Sequence, residues 1–492
     1  MTARVTLFLV SLLLAALLAA CGAAAQPGTG EPIALEPCQI GTPGLAARRP
    51  ARCGVLTVFE DRAAGQGRTI ELRIAVVPAV SRGPAADPLF LLAGGPGQSA
   101  VESYLPLAGA LGPINQRRDI VLVDQRGTGG SHPLHCPAFD SDLAQPAEPQ
   151  LATQLAACAA QLDADPRQYT TSSAVDDLDQ ARAALGYQQI NLYGISYGTR
   201  VALTYLRAHA DRVRSVILDG VVPQDVALGL AVAPDAQRAL DMIFDRCAAE
   251  ADCAAAFPDV RAEFGELLAR LERAPVRLSV AHPISGAPTD LTFTRAMLAT
   301  SVRLLSYAPE TAALLPLLIH TAHASGDLRT LAAQALLVST QLGSSISSGV
   351  NLAVLCAEDV PFFGAPADSG SAAGYLGSSE IDQLRAACAA WPHGVAPAGF
   401  KQPVESAVPT LLLSGAADPV TPPVNADRVA ATLGNSLHLV APGQGHNVLM
   451  RGCLPRLAAG FVERASVAGL DSACVRDIRP MPFFTSFAGT AP

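Results

Sequence analysis

Lysine is almost missing from this chain: Lys401 stands alone among 492 residues, and arginine carries the rest of the positive charge. That scarcity reads as a compositional bias with no functional weight. No basic run or stripe occurs, and the net charge is −9, which removes the electrostatic footprint of a nucleic-acid binder. Charged residues make up only 16% of the chain and apolar residues 50%, so disorder is excluded over most of its length. The eleven cysteines include no Cys-x-x-Cys pair, the spacing on which structural zinc sites depend. His132 and His135 precede Cys136, but no carboxylate or third ligand follows at ligand spacing, so neither a metal nor another cofactor is expected.

One long apolar run is present, and it sits at the N-terminus. Arg4 supplies a positive flank, and Val5 to Ala20 is too short for a comfortable membrane span. The run ends in Leu18-Ala19-Ala20-Cys21, which looks like a lipobox whose cysteine becomes diacylglyceryl-modified and then N-terminal. Residues 1–21 are thus expected to be a lipoprotein-type signal, the alternative being an ordinary secretory signal with a chance cysteine. Residues 22–50 would form a tether and N-terminal extension, starting with a flexible Gly-, Ala- and Pro-rich stretch. Setting Cys21 aside leaves ten cysteines, an even number that fits an exported chain. Sequence neighbours give the pairs Cys38–Cys53, Cys136–Cys158, Cys247–Cys253, Cys356–Cys388 and Cys453–Cys474, although sequence alone leaves the connectivity open. The expected location is extracellular or in the cell envelope, with membrane contact through the lipid anchor and the chain acting as a monomer.

Short apolar runs bounded by turn residues read as buried parallel strands: Leu89 to Leu92, Ile120 to Val123, Ile190 to Tyr193, Val216 to Leu218, Leu411 to Leu413 and Leu437 to Val440. Ahead of them, Gly54 to Glu60 and Thr69 to Val77 alternate and suit an antiparallel edge. From about Pro223 to Pro403 the pattern turns helical, with Val260, Phe264, Leu267, Leu268 and Leu271 at helical spacing. The expected architecture is α/β: a mainly parallel sheet formed by residues 51–222 and 404–492, carrying a large, mostly helical cap at 223–403. A further helix precedes Ile190. Ser173 is its expected cap, Val175, Leu178, Ala181 and Leu185 its buried stripe, and Asp176, Asp177 and Asp179 its polar side.

Gly194-Ile195-Ser196-Tyr197-Gly198 lies between the strand ending at Tyr193 and a helix from Thr199 to Leu206. Strand, Gly-x-Ser-x-Gly and helix in that order form the nucleophile elbow of the α/β-hydrolase fold, in which the serine sits on a sharp turn and the next residue lends its N–H to an oxyanion. A serine hydroxyl also needs a base and an acid to orient that base. His446 lies in the glycine-rich loop 442–447 after the last strand, and Asp418 in the Pro-rich loop after Leu411 to Leu413. Ser196, Asp418 and His446 then follow the chain order of this fold. Asp219, at the end of an earlier strand, is the competing acid; with Gly220 it reads as a simple turn. Gly94-Gly95-Pro96-Gly97 after Leu92 offers the second oxyanion donor. Pro96 has no N–H, leaving Gly95 or Gly97; Gly95 is preferred, paired with Tyr197. In Asp124-Gln125-Arg126-Gly127-Thr128-Gly129-Gly130-Ser131, Arg126 reads as a buried paired charge that fixes loops beneath the site.

Taken in order, these motifs resemble the prolyl aminopeptidase and tripeptidyl aminopeptidase branch of the α/β hydrolases, from about Gly54 to Cys474. The long cap, Cys388 beside Trp391, and the late Cys453 and Cys474 look more like the secreted tripeptidyl type. Prolyl aminopeptidases usually place His before Gly-Gly-Pro-Gly, where this chain has Ala93. The resemblance implies a serine peptidase of aminopeptidase type acting on peptide substrates through an acyl-enzyme. It also implies carboxylates in the cap that receive a free α-ammonium group, for which Glu358 and Asp359 are the candidates; solvated surface acids are the other reading of the pair. An esterase with the same triad is the alternative chemistry, and an idle binding protein on a hydrolase scaffold the alternative class. In membrane fractionation the wild-type protein is expected in the pellet, and Cys21→Ser in the soluble fraction or unprocessed.

Overall fold

The computed structural model describes residues 32–136, 148–364 and 374–490. The expected signal, Cys21 and the first part of the tether lie outside the described residues. Nine strands form one sheet: β1 (Glu36–Ile40), β2 (Arg49–Phe59), β3 (Thr69–Val77), β4 (Leu89–Leu92), β5 (Ile120–Val123), β6 (Ile190–Ile195), β7 (Val213–Asp219), β10 (Thr410–Gly415) and β11 (Ser436–Ala441). Their spatial order is β1-β2-β3-β5-β4-β6-β7-β10-β11. The pairs from β1 to β5 are antiparallel and the rest parallel. The antiparallel edge expected from alternation is there, with β1 as an added strand whose five residues gave no pattern to read.

The central strands are apolar throughout because both faces are covered. Val121 and Val123 of β5 face one core cluster, while Ile120 and Leu122 face the other. Helices Thr171–Ala184 and Tyr197–His209 close the first face. Helices Ala100–Asn115 and Leu454–Arg464 close the second, packed on each other.

Between β7 and β10 the chain inserts helices and one antiparallel hairpin, β8 (Val276–Ala281) with β9 (Pro288–Phe293). Most of the insertion has its own apolar core: Val260, Phe264, Leu267 and Leu271 pack there against Leu298, Val302, Leu315 and Leu318. The helix Ser348–Glu358 is different. Its Val350, Ala353 and Val354 are buried in the core of the sheet body. All five neighbour disulfides form, Cys38–Cys53, Cys136–Cys158, Cys247–Cys253, Cys356–Cys388 and Cys453–Cys474. No described helix is long and apolar enough to cross a membrane.

Helix Thr171–Ala184 starts one turn earlier than expected, capped by the Thr170 side chain on Ser173 N. Asp177, which the sequence placed on the polar side of this helix, is buried instead. It is 1% exposed and takes two hydrogen bonds from Arg126, at 2.7 and 2.9 Å. Arg126, also 1% exposed, donates further to the carbonyls of Glu60 and Gln168 at 2.7 and 2.9 Å. Every strong donor is satisfied, so Arg126 is the buried structural charge expected of it. Asp177→Ala leaves that guanidinium without its carboxylate and is expected to cost about 3–5 kcal/mol in urea unfolding.

Candidate functional site

Ser196, the residue after β6, has φ +55° and ψ −124°, a conformation L side chains rarely adopt. Its backbone is over-determined. Ser196 N donates to Asp219 O at 2.9 Å, and the helix Tyr197–His209 begins at once. The two motif glycines act by close approach rather than by a left-handed turn. A Cβ on Gly198 would stand 2.1 Å from Leu92 O, and one on Gly194 2.5 Å from Gly198 O. Among residues 191–200, Ser196 alone is not buried.

Asp418 and His446 meet as expected. His446 Nδ1 donates to Asp418 Oδ2 at 2.8 Å. The other carboxylate oxygen accepts the N–H groups of Val420 and Thr421 at 2.8 and 2.9 Å. Thr421, which sequence reasoning passed over, donates its hydroxyl to Asp418 Oδ2 at 2.8 Å and lies 3.1 Å from His446 Nδ1; its position three residues after the acid, in a turn, was the available signal. Burial works against the charged Asp418 carboxylate, but His446 and these N–H groups hold its pKa below the usual carboxylate value. Burial likewise pushes the imidazole down, and the Asp418 carboxylate outweighs it, leaving the His446 pKa above its ordinary value.

The base is also fixed from two other directions. His446 N donates to Tyr307 O at 2.7 Å, and the Tyr307 ring meets the imidazole edge-on, centroids 5.3 Å apart. Gly220 follows Asp219, whose carbonyl holds Ser196, and a Cβ on it would lie 3.0 Å from His446 Cε1. The end of β7 thus meets the serine backbone with one residue and the imidazole with the next. Asp219 is not the simple turn residue it looked like. Buried, it accepts Val448 N, Leu449 N and Tyr193 Oη at 2.8, 2.9 and 3.1 Å. It fixes the loop behind His446, while of the two carboxylates it is Asp418 that meets Nδ1.

Gly95 has φ +107°, and a Cβ on its neighbour Gly94 would lie 3.3 Å from Ser196 Cβ; Tyr197 follows Ser196 in the chain. Neither the Gly95 nor the Tyr197 N–H makes a hydrogen bond among the described residues. Gly97 is set against the insertion instead: its carbonyl accepts Ser347 N at 2.9 Å. Below this turn Asp124, fully buried, accepts Ser99 Oγ, Val101 N and Gly130 N at 2.6, 3.0 and 3.0 Å. The second motif therefore buttresses the first.

Glu358 and Asp359 are a correction. Both are fully buried and face the sheet body, where no substrate ammonium reaches them. Glu358 accepts Thr171 N at 2.7 Å and Thr171 Oγ1 at 2.6 Å, and burial pushes its pKa up to about 7. Asp359 accepts both Arg200 Nη1 contacts at 2.8 and 2.9 Å, Leu228 N at 2.9 Å and Lys401 Nζ at 2.7 Å. Lys401, read as without functional weight, ties this cluster together and also donates to Val226 O at 3.0 Å. The spacing of the two acids revealed nothing of this, because their partners lie far away in sequence.

An imidazole oriented by a buried carboxylate, beside a strained serine with free backbone N–H groups, is a set suited to acyl transfer. Because His446 must be neutral to accept a proton, kcat/KM is expected to fall below a pKa higher than that of ordinary imidazole. Asp418→Asn is expected to move this acid limb to lower pH and to cost about 10⁴-fold in kcat, with Asp219→Asn costing far less. Kinetics between pH 5 and 9 check both; the reverse ranking would pass the acid's role to Asp219.

Two family models match the chain: the alpha/beta hydrolase fold over residues 87–305 and TAP-like protein over residues 375–474. The serine protease Hip1 of Mycobacterium tuberculosis is 30% identical over 250 residues, covering 46% of this chain and 48% of the relative. The tripeptidyl aminopeptidase of Streptomyces coelicolor is 29% identical over 192 residues, 35% of this chain and 36% of the relative. The proline iminopeptidase of Neisseria gonorrhoeae is 30% identical over 141 residues, 29% of this chain and 34% of the relative. The chain spans about half the length, or less, of these curated relatives. The sheet order and the model match over residues 87–305 show an α/β-hydrolase fold, and residues 375–474 are similar to TAP-like protein.

Proposed function

We propose that the protein is a serine peptidase of aminopeptidase type, in which Ser196 attacks a peptide carbonyl. In this reading His446 takes the serine proton, Asp418 orients the imidazole, and the N–H groups of Gly95 and Tyr197 receive the oxyanion. The 2.8 Å His446–Asp418 contact beside a positive-φ serine carries the proposal. The relatives named serine protease, tripeptidyl aminopeptidase and proline iminopeptidase favour peptides over esters as substrates. Five disulfides suit an oxidising compartment, and the Cys21 lipobox would add a lipid anchor at the cell envelope.

With Glu358 and Asp359 out of reach, the α-ammonium partner in this reading is Asp235. It lies in the first turn of helix Val232–Ala249, is half-buried, and has its pKa pushed up to about 6 by burial, with Asp418 adding to the effect. Arg238, one turn on, donates to the carbonyls of Ala416 and Asp418 at 2.8 and 2.7 Å, so this helix sits over the acid loop. A cavity of about 140 Å³ between the same helix and the triad loops, lined by Met242, Ile243, Ala417 and Gly445 among others, has room for a small apolar side chain.

A fluorophosphonate probe is expected to label Ser196 in the wild type and nothing in Ser196→Ala. Acetylating the N-terminus of a good peptide substrate removes a charge-assisted contact worth about 1.5–3 kcal/mol, so kcat/KM is expected to drop roughly ten- to hundredfold. Asp235→Asn should reproduce that loss on free peptides and leave acetylated ones unchanged. Equal turnover of free and acetylated peptides would overturn the aminopeptidase reading, and much faster turnover of simple esters than of any peptide amide would replace it with the esterase alternative.

A further inference from the structure

The helix Ser348–Glu358 belongs to the insertion by sequence and to the sheet body by packing. At its N-terminal end it meets the turn that carries Gly95. Gln98 and Ile346 form an antiparallel bridge, and Ser347 N donates to Gly97 O at 2.9 Å. Asn351 Nδ2 donates to Pro96 O at 3.0 Å. The fit is close: a Cβ on Gly97 would stand 2.7 Å from Ser347 O.

At its C-terminal end the same helix meets the elbow helix. Glu358 accepts the Thr171 hydroxyl at 2.6 Å, and that oxygen lies 2.6 Å from the Tyr197 phenol oxygen. Because the Thr171 proton is committed to the carboxylate, the Tyr197 phenol is the donor to Thr171. All three residues are at most 2% exposed. The next residue, Asp359, grips Arg200, one turn beyond Tyr197 on the elbow helix. Eleven residues of helix span about 16 Å at 1.5 Å per residue. One rigid element therefore touches the backbone of one oxyanion donor's turn and, through Thr171, reaches the side chain of the other donor.

We infer that the helix Ser348–Glu358 is a strut that sets the positions of the two oxyanion donors relative to each other, with Asn351 acting on the Gly95 turn and Glu358, through Thr171, acting on Tyr197. This rests on the functional reading above. Neither residue touches substrate; both are positioning residues. Oxyanion stabilisation depends on donor placement, and misplacement by about 1 Å costs on the order of a hundredfold in rate. Partial loosening of one end is therefore felt in kcat rather than in KM.

The test uses the full-length protein, p-nitrophenyl acetate as a substrate that needs no cap recognition, and fluorophosphonate labelling. Thr171→Val removes the hydroxyl at constant shape, Thr171→Ser restores it, and Asn351→Leu removes the amide donor. Each of Thr171→Val and Asn351→Leu is expected to lower kcat and the labelling rate about tenfold, with KM within twofold. The double variant should lose about the product of the two, and Thr171→Ser should behave as wild type. Values of kcat within twofold of wild type in both single variants, or a Thr171→Ser variant as slow as Thr171→Val, overturn the strut. If Thr171→Val fails to fold, Asn351→Leu, at a half-buried position, decides the matter alone. Wild-type protein that the probe does not label at Ser196 overturns the functional reading instead, and this is read before any variant is compared.

Discussion

A single backbone constraint organises the site: Ser196 must hold φ at +55° at the end of a buried strand. An L residue pays for that conformation with strain, and the surroundings leave it no alternative. Leu92 O fills the space where Gly198 would carry a Cβ, and Gly198 O does the same for Gly194. A side chain at Gly198 would press on β4, and one at Gly194 on the first turn of the elbow helix. The carbonyl of Asp219 holds Ser196 N while the Asp219 carboxylate holds the loop behind His446. One residue at the end of β7 thus fixes the serine and the support of the base together.

The insertion is bound to this body by buried charge as well as by apolar contact. Asp359 gathers Arg200 from the elbow helix, Leu228 N from the start of the insertion and Lys401 from its end. Removing one member of such a cluster leaves an uncompensated charge in a low-dielectric interior, a penalty of several kcal/mol. Both connections of the insertion are therefore pinned to the helix that carries the nucleophile. The sole lysine of the chain is spent here, flanked by the Phe362 and Phe400 rings. Burial lowers its pKa, and Asp359 opposes that effect.

The insertion also contributes directly to the chemical geometry. Tyr307 offers its carbonyl to His446 N and its ring edge to the imidazole, and Ser347 and Asn351 reach the turn of Gly95. A cap that only covered the substrate would need no such bonds. Here His446 and the turn of Gly95 are both held across the boundary between body and insertion. The disulfides Cys136–Cys158 and Cys356–Cys388 gather around Trp391, Leu151 and Leu155 at that same boundary.

The elements with local signatures were legible in the sequence. Buried strands announce themselves as short apolar runs, the elbow as Gly-x-Ser-x-Gly between strand and helix, and the acid and base as polar residues in turn-rich loops after late strands. Loop length and neighbour spacing also gave the five disulfides, because close cysteines have few other partners. What the sequence could not settle was the direction in which a charged side chain points. Asp177 reads as the polar side of a helix until Arg126, 51 residues away in sequence, closes on it. Glu358 and Asp359 read as acids beside a cap cysteine until Thr171, Arg200 and Lys401, distant in sequence, close around them. Local chemistry follows from neighbours in the chain and is written there; the burial and pairing of a charge depend on groups that only the folded chain brings within hydrogen-bonding distance.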